Sequence, residues 1–326
     1  MTKINAMWQQ YPQLSTELMA TLTLIEQNIK THDPQVTAAI IDMIHAGGKL
    51  LRPAYCLLFS QFHETDRQKM IALAAAVETL HTATLIHDDI VDESNLRRNQ
   101  PTIQAQFGKD TAVYAGDYLF VVCFKLLAHY ASDLRSIQVN SRSMEKILNG
   151  EIHQMKMRYQ LSMTLDDYLL QIKGKTAQLF STACFIGAYE SGNSQSFARQ
   201  SEQIGMAIGT AFQIVDDILD YQQSSTILGK PVLEDVRQGV YSAPLVLVLQ
   251  QANPELLALL QKRAAMTAAD CEQVRQLVVA AGGVTAAQQL ATKYTEHALT
   301  AIHKLPAGQP RVDLENLTQQ LLTRNY

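Results

Sequence analysis

The sequence predicts an all-α protein, on three observations. The 326-residue chain holds only 15 Gly and 9 Pro, fewer than the roughly 7% and 5% of ordinary usage. Apolar residues recur at spacings of three and four along most of its length. Strand-like alternation is nearly absent: residues 246–248 and 278–280 are short and lie in helical context.

The elements follow in order. Residues 13–31 place Leu14, Leu18, Leu22 and Ile25 on one helical face, and His32-Asp33-Pro34 ends that stretch. Gly47-Gly48 is the next break, followed by alanine- and leucine-rich helical patterning over 67–92. Asn99-Gln100-Pro101 interrupts again before helices over 109–130 and 165–189. Ser191-Gly192-Asn193 separates these from 197–222, Asn253-Pro254 marks a later turn, and 255–326 reads as a helical C-terminal extension. Residues 119–127 and 178–188 are apolar almost all round, which suits a bundle centre, a subunit interface or a cavity wall. No repeat or long linker divides the chain, so the expectation is a single all-α domain over 1–326.

Composition excludes several classes of function. Net charge is −4, with 47% hydrophobic and 18% charged residues and no basic run. That gives no footing for nucleic acid, where phosphate neutralisation carries much of the affinity. Cys56, Cys123, Cys184 and Cys271 sit singly, without metal or disulfide spacing, as in a reducing compartment. The N-terminus lacks a signal-peptide core, and no uninterrupted apolar run approaches the ~20 residues of a membrane span. A cytoplasmic protein is expected, with at most peripheral membrane contact.

Two segments share one spacing: Asp88-Asp89-Ile-Val-Asp92 and Asp216-Asp217-Ile-Leu-Asp220, each ending an apolar run. At about 100° per residue, the third aspartate falls between the directions of the first two. Anions packed this way on an apolar helix repel each other unless a counter-charge is present. One such cluster reads equally well as a solvated helix end; two copies favour a ligand. Carboxylate-rich clusters suit Mg²⁺, which keeps waters and is completed by substrate phosphates. Cations stand near each cluster: Lys49 and Arg52 after Gly47-Gly48, the Arg97-Arg98 pair, Lys175-Thr176 within an apolar stretch, and Lys230. Lys175-Thr176 lacks the upstream glycine loop of an NTPase. His81 lies two turns before Asp88 on nearly the same face, as a structural histidine or as a diphosphate donor.

The segments GGKLLRP, ETLHTATLIHDDIVDESNLRRNQPT, GKTAQLF and GTAFQIVDDILDYQQSSTILGKP, in that order, resemble the trans-polyprenyl diphosphate synthases over about residues 40–250. The resemblance implies an isoprenoid-synthase-type helical bundle around a deep central cavity, with both aspartate motifs at its mouth. It implies head-to-tail condensation of isopentenyl diphosphate with an allylic diphosphate such as farnesyl diphosphate. Asp88, Asp92 and Asp216 would hold Mg²⁺, with Asp89, Asp217 and Asp220 in support. Lys175, Thr176, Gln213 and Lys230 would serve the allylic end, Arg97 the allylic diphosphate, and Lys49, Arg52, His81 and Arg98 isopentenyl diphosphate. Catalysis would fall to Asp88, Asp92, Lys175 and Asp216.

Ala83 and Thr84, just before the first cluster, stand where short-product members carry aromatics. Small residues there imply a product of C30 or longer, destined for quinone side chains. Phe120 and Phe124 are candidates for the cavity floor or ordinary core aromatics. The sequence departs from the family pattern at Gly239-Val240, where a cation is missing, at Asn99, which replaces Gly, and at Gln104, which replaces His. These departures resemble the aspartate-bearing subunits of heterodimeric hexaprenyl and heptaprenyl diphosphate synthases, so the partner is either a second copy or a small regulatory subunit. A class I terpene cyclase and a non-catalytic binding subunit are the alternatives.

Overall fold

Caps and prolines decide where the first helices begin. α1 (Pro12–Asn28) and α2 (Pro34–His45) open on proline, where a helix needs no N–H. Asp33 caps α2 by accepting from the Gln35 and Val36 amides at 2.8 and 3.3 Å. α3 (Leu51–Ser60) follows a turn in which Gly47 and Leu50 hold φ of 89° and 52°. Asp66 caps α4 (Arg67–Val91), accepting from the Gln68 amide at 2.9 Å. The computed structural model describes residues 4–222 and 233–322.

After α4 the chain makes a two-residue antiparallel pair, β1 (Leu96–Arg97) with β2 (Gln100–Pro101). Its turn residues Arg98 and Asn99 have φ of 50° and 63°. A tight hairpin of this hand needs positive φ at both central positions, and asparagine tolerates that better than any residue but glycine. The departure at Asn99 is therefore conformationally mild. α5 (Ile103–Phe107), α6 (Lys109–Tyr130), α7 (Leu134–Met157) and α8 (Leu165–Ile172) follow. α8 starts with a capping box between Thr164 and Asp167. The helix expected over 165–189 is broken by one π turn, Lys173–Ala177, before α9 (Gln178–Glu190). α10 (Gln195–Gln222) carries the second aspartate cluster. α11 (Glu234–Arg237), α12 (Ala243–Leu249), α13 (Pro254–Leu260), α14 (Ala268–Ala280), α15 (Gly283–His303) and α16 (Gln309–Leu322) complete the described chain. Both stretches of ambiguous strand character lie in helices, 246–248 in α12 and 278–280 in α14.

The chain forms two compact units, each assembled from separate stretches. The first takes residues 1–141, 182–202 and 308–313; the second takes 142–181, 203–307 and 314–326.

In the first unit α4 packs along α6, α3 and α1. α4 and α6 are long and apolar enough to cross a bilayer, because Ala, Thr and His interrupt their apolar runs without making them polar. The alanine-rich α4 is buried over most of its length. α6 keeps Val113, Tyr114, Val121 and Phe124 exposed along one side. Gly187 of α9 lies so close to the Cys56 carbonyl of α3 that no Cβ fits between them. Glu190, its side chain wholly buried, pairs with Lys69 at 2.7 Å and accepts from the Ser132 amide at 2.9 Å and from the Ser136 hydroxyl. All four cysteines are buried and unbonded, Cys271 in the second unit and the other three in the first.

The second unit's core gathers Tyr168 and Ile172, Ile214 and Ile218 of α10, Leu245 of α12, and Val274 and Val278 of α14. A capping box between Thr267 and Asp270 starts α14.

Candidate active site

The first aspartate cluster belongs wholly to the first unit. Asp88 and Asp89 lie in the last turn of α4, and Asp92 is its C-terminal cap, donating its amide to the Asp88 carbonyl at 2.9 Å. The helix thus ends one residue short of the third carboxylate. Asp89 is buried, 2% exposed, and receives Arg97 Nε at 2.8 Å and Nη2 at 2.7 Å. Burial raises its pKa, Arg97 opposes the shift, and Asp92 adds to it. Asp88 and Asp92 are half-buried.

The cations form a group around His81. Arg52 Nη1 lies 3.1 Å from His81 Nε2. Burial, and then the positive charges of Arg52, Arg98 and Arg97, hold the His81 pKa well below its usual value. The imidazole is therefore neutral at pH 7, so Nε2 accepts from Arg52 and Nδ1 carries the proton. The Arg98 guanidinium covers Gly48, where a Cβ would meet Nη1 at 2.8 Å. Lys49 is half-buried, and its carbonyl accepts from the Trp8 indole at 3.0 Å. Sequence reasoning missed Glu78, a buried carboxyl one turn before His81. Burial raises its pKa, and Arg52 and Arg98 pull it back. A lone acid three residues from a histidine in an apolar run was a usable signal.

Ala83 is fully buried, and Thr84 donates to the His81 carbonyl at 2.8 Å. Phe120 is half-buried with its ring 5.3 Å from His87. Phe124 is 36% exposed, so it is not a core aromatic of this unit.

The second cluster lies in the second unit. Asp217 is buried, and its two oxygens are bonded inside the protein. Oδ2 accepts from the Tyr168 hydroxyl at 2.6 Å and the Ala243 amide at 2.9 Å, and Oδ1 from Gln213 Nε2 at 2.9 Å. Thr176 donates to Gln213 Oε1 at 2.7 Å, extending the network into the π turn. Burial pushes Asp217 up to about 6 against these hydrogen bonds, and Asp216 pushes in the same direction. Asp220 reaches solvent, yet burial of its carboxyl, followed by the nearby anions Asp235, Asp217 and Asp216, raises it to about 7. Asp216 is half-buried. Lys175 donates to Glu151 Oε2 at 2.9 Å. Lys230 lies outside the described residues. Tyr168, Glu151 and Asp235 were missed because each is far in sequence from the group it touches.

The donor set near both clusters is oxygen-only, which suits a hard divalent cation. Among the described residues no three acidic, histidine or cysteine side chains converge into a ready-made cage. Asp89 and Asp217 are the buried members of their clusters, Asp88, Asp92 and Asp216 are half-buried, and Asp220 is exposed. Such a set fits an ion that takes one or two carboxylates and completes its shell with water and phosphate.

Two carboxylate clusters on a helical scaffold suit a divalent cation carrying a diphosphate, and comparison with known proteins places the chain among the prenyltransferases. A family model described as polyprenyl synthetase matches residues 33–281, and the chain belongs to that family. Component 2 of the heptaprenyl diphosphate synthase of Geobacillus stearothermophilus is 31% identical over 99% of this chain and 100% of its own length. A geranylgeranyl pyrophosphate synthase structure from Lactobacillus brevis superposes with TM-score 0.94 and 44% identity, covering 98% of this chain and 99% of that one. A polyprenyl synthase from Caulobacter crescentus, solved with calcium and isoprenyl diphosphate, has TM-score 0.89 and 31% identity over 96% of each chain.

Proposed function

We propose that this chain condenses isopentenyl diphosphate head-to-tail with an allylic diphosphate, farnesyl diphosphate being the test substrate, to make an all-trans polyprenyl diphosphate of C30 or longer. The observation that carries it is duplication: each unit carries the same DDxxD spacing on an apolar helix, with its second aspartate buried and hydrogen-bonded inside the protein. Mg²⁺ would be held at the first cluster by Asp88 and Asp92 and at the second by Asp216 with Asp220, and would neutralise the allylic diphosphate and make it a better leaving group.

The chain's own residues do the rest. Asp89, fixed by Arg97, and Asp217, fixed by Tyr168 and the Ala243 amide, hold the last turns of α4 and α10 so that the other carboxylates stay in place. Lys175, Lys230 and Arg97 bind the allylic diphosphate as it departs. The Thr176 and Gln213 oxygens lie beside the allylic carbon and stabilise its positive charge. Lys49, Arg52 and Arg98 grip isopentenyl diphosphate, and neutral His81 orients Arg52. The isopentenyl double bond then attacks the allylic carbon, and the departing diphosphate accepts the proton released from C2.

The relative named for a heptaprenyl product supports a long product. The Lactobacillus brevis relative, at 44% identity, favours a second reading, a C20 product. The name "component 2" supports a partner, either a small regulatory subunit or a second copy. Four buried, unbonded cysteines support a reducing, cytoplasmic setting, and a quinone side chain is the fate proposed for the lipid. One assay tests the activity and the product length: purified protein, Mg²⁺, farnesyl diphosphate and labelled isopentenyl diphosphate, with products sized by chromatography. Products of C30 or more support the proposal, C20 the second reading, and cyclic hydrocarbons would overturn both.

A further inference from the structure

We propose that Glu151 is a positioning residue for Lys175, fixing its ammonium group where the allylic diphosphate is bound; this rests on the function proposed above. The observation is a crossing inside the second unit. A Cβ on Gly150 would lie 2.9 Å from the Lys175 nitrogen and 3.0 Å from Gly174 Cα. A Cβ on Gly174 would lie 2.9 Å from Gly150 Cα and 3.0 Å from the Lys146 carbonyl. Two backbones touch there because neither glycine carries a side chain.

The next residue of α7 after this contact is Glu151, and the next residue of the π turn is Lys175. Their charged ends meet at 2.9 Å, with side chains 28% and 31% exposed. A lysine ammonium sits on a flexible four-carbon stem and has no preferred direction of its own. The following residue, Thr176, is held by Gln213 of α10. Successive residues of the one π turn are thus anchored by different helices, Lys175 by α7 and Thr176 by α10. An ion pair this exposed adds little to folding stability. Its effect is on where the charge stands.

The experiment is a double-mutant cycle on the full chain with Mg²⁺: wild type, E151A, K175A and E151A/K175A, with E151Q as the conservative variant. E151A is expected to lower kcat on the order of tenfold, because a misplaced charge at the reacting end costs that much or more. The KM for isopentenyl diphosphate should stay within about twofold, since that substrate is bound by other cations. E151A/K175A should be no slower than K175A, and E151Q, which keeps an oxygen acceptor in the same place, should recover most of the rate. Wild-type kcat in E151A, or multiplying losses in the double variant, would overturn the proposal. Calorimetric titration with inorganic pyrophosphate and Mg²⁺ supplies a readout independent of turnover. E151A should weaken that binding, and the loss should vanish in the K175A background. Wild-type protein that makes no prenyl product either alone or with a small regulatory subunit of a heptaprenyl diphosphate synthase overturns the proposed function, while the titration still tests the pair. Should E151A not fold, E151S, whose side chain is too short to reach the ammonium, takes its place in the cycle.

Discussion

Asp217 and Asp220 show what a single side chain can report. Their carboxyls are raised from 3.8 to about 6 and about 7. A carboxyl raised in the folded state keeps its proton after the unfolded chain has lost its own. Stability from these two groups is therefore greatest at low pH and falls as pH rises from about 4 to about 7. The metal-free protein should melt at a progressively lower temperature between pH 4 and 7, and D217N should flatten that decline. A Tm independent of pH in the wild type would contradict it. Asp88 and Asp216 are only half-buried and belong to the proposed Mg²⁺ set, so D88A and D216A should lower turnover by about a hundredfold or more while the melting curve changes little. Turnover measured alongside circular dichroism separates the two effects. Tyr168→Phe leaves the buried Asp217 one donor short, at a cost of about 1–3 kcal/mol, which denaturant melts would read.

The elements were largely legible in the sequence because punctuation is local. His32-Asp33-Pro34, Gly47-Gly48, Ser191-Gly192-Asn193 and Asn253-Pro254 each coincide with a helix boundary. The aspartate clusters were legible too, because their spacing is short. The π turn was not: Lys173–Ala177 reads as ordinary helix, and its wider geometry follows from packing against Gly150 and Gln213, distant in sequence. Likewise the Tyr168–Asp217 bond joins residues 49 apart, and no periodicity encodes it. The all-round apolar pattern of 119–127 and 178–188 allowed a bundle centre, a subunit interface or a cavity wall without choosing among them; α9 is enclosed, whereas α6 leaves one side open. Helix contacts made by glycine carry a definite prediction. Gly187→Ala drives a methyl into the Cys56 carbonyl and should cost about 1–3 kcal/mol by overpacking, visible as a lower Tm.

For the whole molecule, the open side of α6 is the surface to test. Val113, Tyr114, Val121 and Phe124 are all large and exposed there, a grouping that suits burial against another chain. Light scattering should find the wild type larger than one chain, and V121D should shift it toward a monomer. Product length also belongs to this scale. Thr84→Phe, at the half-buried position just before the first cluster, should shorten the product by one or more isoprene units, as read by chromatography.

The enclosure of the cysteines has a practical consequence. Burial raises all four thiols, Cys56 and Cys123 to about 12, so almost no thiolate is present at neutral pH. Maleimide dyes and spin labels should leave the native protein nearly unmarked over an hour. The wild-type chain is therefore a silent background on which one cysteine introduced on the open side of α6 becomes the sole reporter of assembly.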